Sequence, residues 1–151
     1  MKHELLLLGR AKASYIEEGI SEYIKRLSHY TQFSVNLLKG KKNKANDPKA
    51  EGRLLLAQIP SGWQAVALDP LGRQFTSEEF TARINTWERQ SVKGVCYLIG
   101  GPLGLSDEVR NRADLLFSLS KMTFTHDMAR LLLVEQLYRA YTIKNGEKYH
   151  K

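Results

Sequence analysis

"VCYLIGGPLGLSDEV", residues 95–109, is the stretch on which the fold turns. Val95 to Ile99 are apolar without alternation, the pattern of a short strand covered on both faces in a parallel sheet. Gly100, Gly101 and Gly104 then supply bare backbone for a tight turn. Ser106, ahead of Asp107 and Glu108, reads as a hydroxyl cap followed by an acidic first turn, the opening of a helix.

The same grammar extends in both directions. Towards the N-terminus, "ELLLLG" is a second two-sided strand, and Ser14 with Glu17 predicts a capping box ahead of Ile16, Ile20, Tyr23, Ile24 and Leu27 at helical spacing. "FSVNLL" alternates Phe33, Val35 and Leu37 and reads as a strand. Asp47 as N-cap and Pro48 at the first helical position open "KAEGRLLLAQI", which "PSG" stops. "WQAVALD" is a strand, followed by a helix that Thr76 and Glu79 box and that carries Phe80, Ile84 and Trp87 on one face. Beyond residue 109, "LLFSLS" reads as a fifth strand and "HDMARLLLVEQLYRAYTI" as a long final helix. Strands alternating with helices imply an α/β fold: a five-stranded, mainly parallel sheet with helices on both faces, in one domain spanning residues 1–151.

Composition narrows the function. No apolar run approaches the roughly 20 residues of a membrane span, and "MKHELLLLGR" is too short in its apolar part for a signal peptide. Cys96 is the single cysteine, which excludes an internal disulfide and fits a reducing cytoplasm. The net charge of +7 would draw a polyanion or simply keep the surface soluble. Lys41, Lys42 and Lys44 in "KGKKNKAND", and Tyr149, His150 and Lys151 at the C-terminus, are the stretches suited to RNA. Either stretch is equally readable as a solvated loop or tail.

Three segments leave the carboxyl ends of predicted strands: "LDPLGR", "IGGPLG" and "SLSKMTFTH". "GGPLG" is not the dinucleotide fingerprint, and without a following Gly-Lys-Ser/Thr it is not a P-loop; taken alone it reads as a strand-to-helix turn. "SLSKMTFTH" mixes hydroxyls with Met122 and Phe124, the surface a flat, partly apolar ligand needs, and a bare glycine turn beside it would let a ring approach the backbone.

"LIGGPLGLSDEV", "SLSKMTFTHDMARLLLVEQLYRA" and the terminal "YHK" resemble the signature of the ribosomal RNA large subunit methyltransferase H family, of the SPOUT class, with the match running the length of the chain. The resemblance implies a C-terminal trefoil knot, a homodimer, and transfer of a methyl group from S-adenosylmethionine to N3 of a pseudouridine in large-subunit rRNA on the assembled ribosome. By the same resemblance the cofactor loops correspond to Leu68 and Asp69, to Gly100 and Gly101, and to Ser120, Lys121, Met122, Thr123, Phe124 and Thr125. The family usually has proline where this chain has Thr125, whose hydroxyl is able to cap the last helix.

Such a transfer needs two aligned partners and an activated imide nitrogen, which a nearby cation would favour in its deprotonated form. Arg130 and His126 at the start of the last helix are the candidates, with His150 a further one; no metal is expected. His126 is equally readable as a helix-start residue bonded to its own backbone, and Arg139, a candidate for RNA contact, as the partner of Glu135 in a surface ion pair. A non-enzymatic ribosome-binding protein shares the charge without needing the three-loop pocket, and a flavodoxin-like nucleotide binder shares the sheet without needing the basic tail. Neutralising Lys41, Lys42 and Lys44 together is expected to flatten the slope of log ribosome affinity against log salt by about two units, the single-strand coefficient for three lost phosphate contacts. A salt titration of wild type and triple variant measures it, and equal slopes would place this loop away from RNA.

Overall fold

The computed structural model describes residues 1–8, 13–38 and 47–150. Five strands and five helices alternate: β1 (Lys2–Leu8), α1 (Ser14–Leu27), β2 (Gln32–Leu38), α2 (Pro48–Ala57), β3 (Gln64–Arg73), α3 (Ser77–Arg89), β4 (Gly94–Leu98), α4 (Asp107–Arg112), β5 (Leu115–Phe117) and α5 (His126–Lys144). The strands form one sheet in the order β2-β1-β4-β3-β5, and every pairing is parallel. Leu6 lies beside Leu98 and Ala67 beside Leu98, so β1 and β3 flank a β4 whose five residues are all buried. Lys41, Lys42, Lys44 and Lys151 lie outside the described residues.

Alternate side chains of the central strands feed two cores. Leu5, Leu7, Val66, Val95 and Tyr97 meet Leu27 of α1, Phe80, Ile84 and Trp87 of α3, and Leu133, Val134 and Leu137 of α5. On the other face Leu6, Ala65, Ala67, Cys96 and Leu98 meet Leu55 of α2 and Val109 of α4. Cys96 is therefore a small core residue, and burial, with Glu4 beside it, pushes its thiol up to about 12. Most caps stand where the sequence places them. Asp47 accepts from the backbone of Lys49 and Ala50, Thr76 and Glu79 form the full capping box, and Ser106 accepts from Val109 N–H.

Three expectations change. Ala13, not Ser14, is the N-cap of α1; Ser14 is already helical, and no side chain caps that end. "DPLGR" is not a loop beyond β3 but its continuation to Arg73, reached through a register shift in which both Leu68 and Arg73 pair with Phe117. A short β5 has room for only Leu115–Phe117, because the chain past Ser118 turns away. In addition, edge strand β2 leaves Val35 exposed although it alternates with Phe33 and Leu37.

A polar network lies at the amino end of β1. His3 is buried, with Nδ1 3.1 Å from the Tyr97 hydroxyl and Nε2 2.8 Å from that of Tyr141. Tyr141 in turn donates to Glu88 at 3.4 Å, so a neutral imidazole that donates from Nε2 and accepts at Nδ1 satisfies the whole chain of bonds. Burial, reinforced by the N-terminal ammonium and Lys144, lowers the His3 pKa from 6.5 to about 3. The unfolded chain therefore takes up this proton at a higher pH than the folded one does. Stability owed to neutral His3 is complete above about pH 6.5 and is lost as pH falls towards 3, at up to about 1.4 kcal/mol per pH unit. Denaturant unfolding of wild type and His3→Asn across this range is expected to show a steeper acid loss in wild type, and parallel curves would mean that His3 is protonated in the fold.

Candidate active site

Because all strands run parallel, the second half of β3 and the segments following β4 and β5 gather at one edge of the sheet. There they enclose a cleft of about 740 Å³, a size suited to a cofactor. Leu68 and Asp69 line it from β3, Gly100 and Gly101 from the glycine turn, and Ser120, Met122, Thr123, Phe124 and Thr125 from the last loop. Lys121, expected with them, does not line it. The walls also include residues the sequence did not single out: Ile99, Phe117, Leu119 and Ala129 as apolar surface, and Arg110 as a charge.

Arg110 explains what Asp69 does. Its Nε donates to Asp69 Oδ2 at 2.7 Å, while Leu71 N–H donates to Oδ1 at 2.9 Å. Burial alone would raise the Asp69 pKa; the Leu71 N–H and the Arg110 guanidinium outweigh it and hold the carboxyl below its ordinary range. Asp69 thus clamps the β3 extension to α4. Nothing local in the sequence links Arg110 to an aspartate 41 positions earlier.

Packing gives the glycine turn a constraint of its own. A Cβ on Gly100 would stand 2.6 Å from the carbonyl carbon of Gly104, and one on Gly101 2.7 Å from Glu51 Oε2. Gly104 N–H donates to Gly101 C=O at 2.9 Å and Gly104 has φ of 79°, so the turn folds tightly on itself. Gly100 thus has no room for a side chain against the turn's own backbone, whereas at Gly101 the close neighbour is the Glu51 carboxylate of α2.

The last loop is held by short-range bonds. Ser118 Oγ donates to Ser120 C=O at 2.8 Å, Met122 N–H donates to Ser120 Oγ at 3.0 Å, and Thr125 Oγ1 accepts from Met128 N–H at 3.3 Å. Thr125 is therefore the N-cap of α5. Met122 and Phe124, with Leu71 and Leu103 from the neighbouring turns, leave large apolar side chains exposed around the cleft.

Of the catalytic candidates, His126 lines the cleft, with Nε2 3.3 Å from Asp127 Oδ1. Arg130, one turn further, is 1% exposed and lies beneath the end of β1, where Nη2 donates to Leu8 C=O at 3.2 Å and Nη1 is 3.2 Å from Asp127. Burial lowers the Arg130 pKa against the opposing pull of Asp127 and Glu17. Its Nε has no hydrogen-bond partner among the described residues.

The tail lies elsewhere. Tyr149 packs its ring on Tyr138, and its hydroxyl is 3.2 Å from that of Tyr23 and 3.0 Å from Glu135 Oε1. Arg139 donates from Nε to Glu135 at 3.1 Å and lies over the Tyr149 ring, as the ion-pair reading expects. His150 Nε2 is 2.8 Å from Glu78. None of Arg139, Tyr149 and His150 lines the cleft of its own chain.

Comparison with known proteins identifies the family. The family model described as predicted SPOUT methyltransferase matches residues 1–150. Ribosomal RNA large subunit methyltransferase H of Desulfotalea psychrophila is 58% identical, with all of both chains covered. The protein of that name from Syntrophotalea carbinolica is 44% identical over 99% of each chain. A solved structure, a probable methylase family protein from Haemophilus influenzae Rd KW20, shares the fold at a TM-score of 0.55 and 11% identity, over 99% of this chain and 70% of its own. A full-length family match and relatives this similar establish that the chain belongs to the SPOUT methyltransferases, in the ribosomal RNA large subunit methyltransferase H family.

Proposed function

We propose that the protein methylates N3 of a pseudouridine in large-subunit rRNA, on the assembled ribosome in the cytoplasm, with S-adenosylmethionine as donor. The observation that carries this reading is the three-loop cleft, whose volume, apolar walls and backbone-lined floor suit an adenosine with a thioether-like arm. When bound there, S-adenosylmethionine supplies an electrophilic sulfonium methyl group. The chain's own part is to align the target base, stabilise its N3 once deprotonated, and keep water away. Arg130 provides a fixed guanidinium for the imide anion, and His126 at the cleft is the candidate acceptor for the N3 proton.

The knot that the resemblance implies is supported by the way the β3 extension straps over β5. Ser118 N–H donates to Arg73 C=O at 2.9 Å, and a Cβ on Gly72 would lie 2.6 Å from the Leu116 carbonyl carbon. The same reading makes the working unit a homodimer. Exposed Leu71, Leu103, Met122 and Phe124 give the cleft mouth an apolar rim for a second chain to cover. Tyr149 and His150 sit along α5 away from their own cleft, so in a two-fold dimer the tail of one chain would serve the pocket of the other.

Calorimetric binding of S-adenosylmethionine, together with mass mapping of ribosomal RNA from cells with and without the gene, tests the activity; absence of both binding and an added methyl group would overturn it. Arg130→Ala is expected to slow single-turnover methylation about a hundredfold or more while cofactor affinity stays within a few-fold. Parallel loss of both would assign Arg130 a structural role. A chain ending at Gly146 and a Gly101→Val chain, in which the branched side chain disrupts the glycine turn, are each expected to form nearly inactive homodimers. Refolded together in equal amounts, they should recover about a quarter of wild-type activity, since half the dimers are mixed and each has one complete site. An inactive mixture in which native mass spectrometry detects mixed dimers would show that the tail acts in its own chain.

A further inference from the structure

Beside the glycine turn stands a carboxylate that the rest of the fold leaves unused. Glu51, in the first turn of α2, brings Oε2 to within 2.7 Å of where a Cβ on Gly101 would be. That oxygen is closed off from solvent and has no hydrogen-bond partner among the described residues. A buried acceptor in this state is costly, and folds retain such groups where a ligand completes them. Gly101 lines the cleft and Glu51 does not, so the turn separates this carboxylate from the proposed cofactor position.

Arg130 reaches the same sheet edge from the opposite face. It belongs to α5, on the face packed by α1 and α3, whereas Glu51 belongs to α2, on the face packed by α4. Its anchor, Leu8 C=O, ends β1, and the glycine turn follows β4; the two strands are hydrogen-bonded neighbours. The ends of these adjacent strands thus carry an unfilled donor, Arg130 Nε, from one face and an unfilled acceptor, Glu51 Oε2, from the other. A ligand seated across that edge is matched if it turns negative charge to the guanidinium and an N–H to the carboxylate.

Pseudouridine has this polarity. Its ring carries N1–H and N3–H on either side of a carbonyl; once N3 is deprotonated, N1–H remains a donor. Uridine has no such donor, because its N1 holds the sugar, and it presents a C–H where pseudouridine presents N1–H. We infer that Glu51 is the residue by which this enzyme selects pseudouridine over uridine, Oε2 accepting the N1–H of the target base. The inference rests on the methyltransferase reading above and adds to it a recognition contact. A site built around a substrate N–H rejects the analogue that lacks it far more strongly than an apolar pocket rejects a change of size.

The test compares methyl transfer to ribosomes carrying pseudouridine at the target with transfer to ribosomes from cells that lack the pseudouridine synthase and so carry uridine there. Wild type is expected to favour the first in kcat/KM. Glu51→Leu removes the acceptor at similar size, and should lower the pseudouridine-to-uridine ratio at least tenfold, the loss falling on pseudouridine ribosomes. Glu51→Gln keeps an amide oxygen as acceptor and should fall between the two. Calorimetric affinity for S-adenosylmethionine should stay within twofold in both variants, which also reports that the cleft is folded. An unchanged ratio in both variants overturns the inference, as does a wild type that does not discriminate. Loss of cofactor affinity in Glu51→Gln in step with activity also overturns it, because Glu51 would then brace the glycine turn for the cofactor. A wild type that neither binds cofactor nor methylates either ribosome removes the activity reading and this inference together, whereas an active, selective wild type with unaltered variant ratios removes only the inference.

Discussion

Two-sided burial of β4 is the constraint from which the rest of the molecule follows. All five of its residues are buried, with neighbours on both edges and helices on both faces. Both its neighbours run parallel to it, and parallel strands are joined only by crossover connections, here containing helices that cover the two faces. Parallel crossovers place every strand's carboxyl end on one edge. The second half of β3 and the loops following β4 and β5, with no sequence proximity, meet there for that reason.

What the sequence discloses is what short-range physics determines. Unbroken apolar runs mark β1 and β4, Asp47-Pro48 marks α2, and Thr76 with Glu79 marks α3, because each signal is complete within a few residues. Ser14 and Glu17 satisfy the same rule on paper, yet the chain enters α1 one residue earlier and Ser14 loses the extended geometry a cap needs. "DPLG" has the composition of a turn and is a strand only because Phe117 offers a second pairing through a register shift. The Asp69–Arg110 clamp, the His3 network and the Glu51–Gly101 contact each join distant elements, so no local pattern announces them. The residues named by the family resemblance for the cofactor loops line one cleft, Lys121 excepted, and Gly100 has no room for a side chain because the turn packs on Gly104.

The charges divide along the same line. Several basic groups outside the cleft are already matched: Arg26 with Glu22, Arg139 with Glu135 and Lys144 with Glu88. Pairs as exposed as Arg26 and Glu22 add little to stability, and their main effect is to reduce the positive field near the tail. The excess that gives the chain its +7 must therefore be sought in groups without such partners, and the sequence concentrates lysines between positions 39 and 44.

That separation suits the proposed chemistry. A sulfonium donor needs in-line alignment more than a strong acid or base, and a free carboxylate in its pocket would compete with the anionic nucleophile for the positive centre. Among the described residues lining the cleft Asp69 is the one carboxylate, and Arg110 with the Leu71 N–H occupies both its oxygens. The walls are otherwise mostly apolar side chains, hydroxyls and backbone, with Arg110 held in that pair and His126 the remaining titratable side chain. Arg130 Nε and Glu51 Oε2, buried atoms without a hydrogen-bond partner among the described residues, belong to side chains outside those walls. The cleft thus keeps its one carboxylate paired, while the carboxylate without a partner, Glu51, lies beyond the glycine turn.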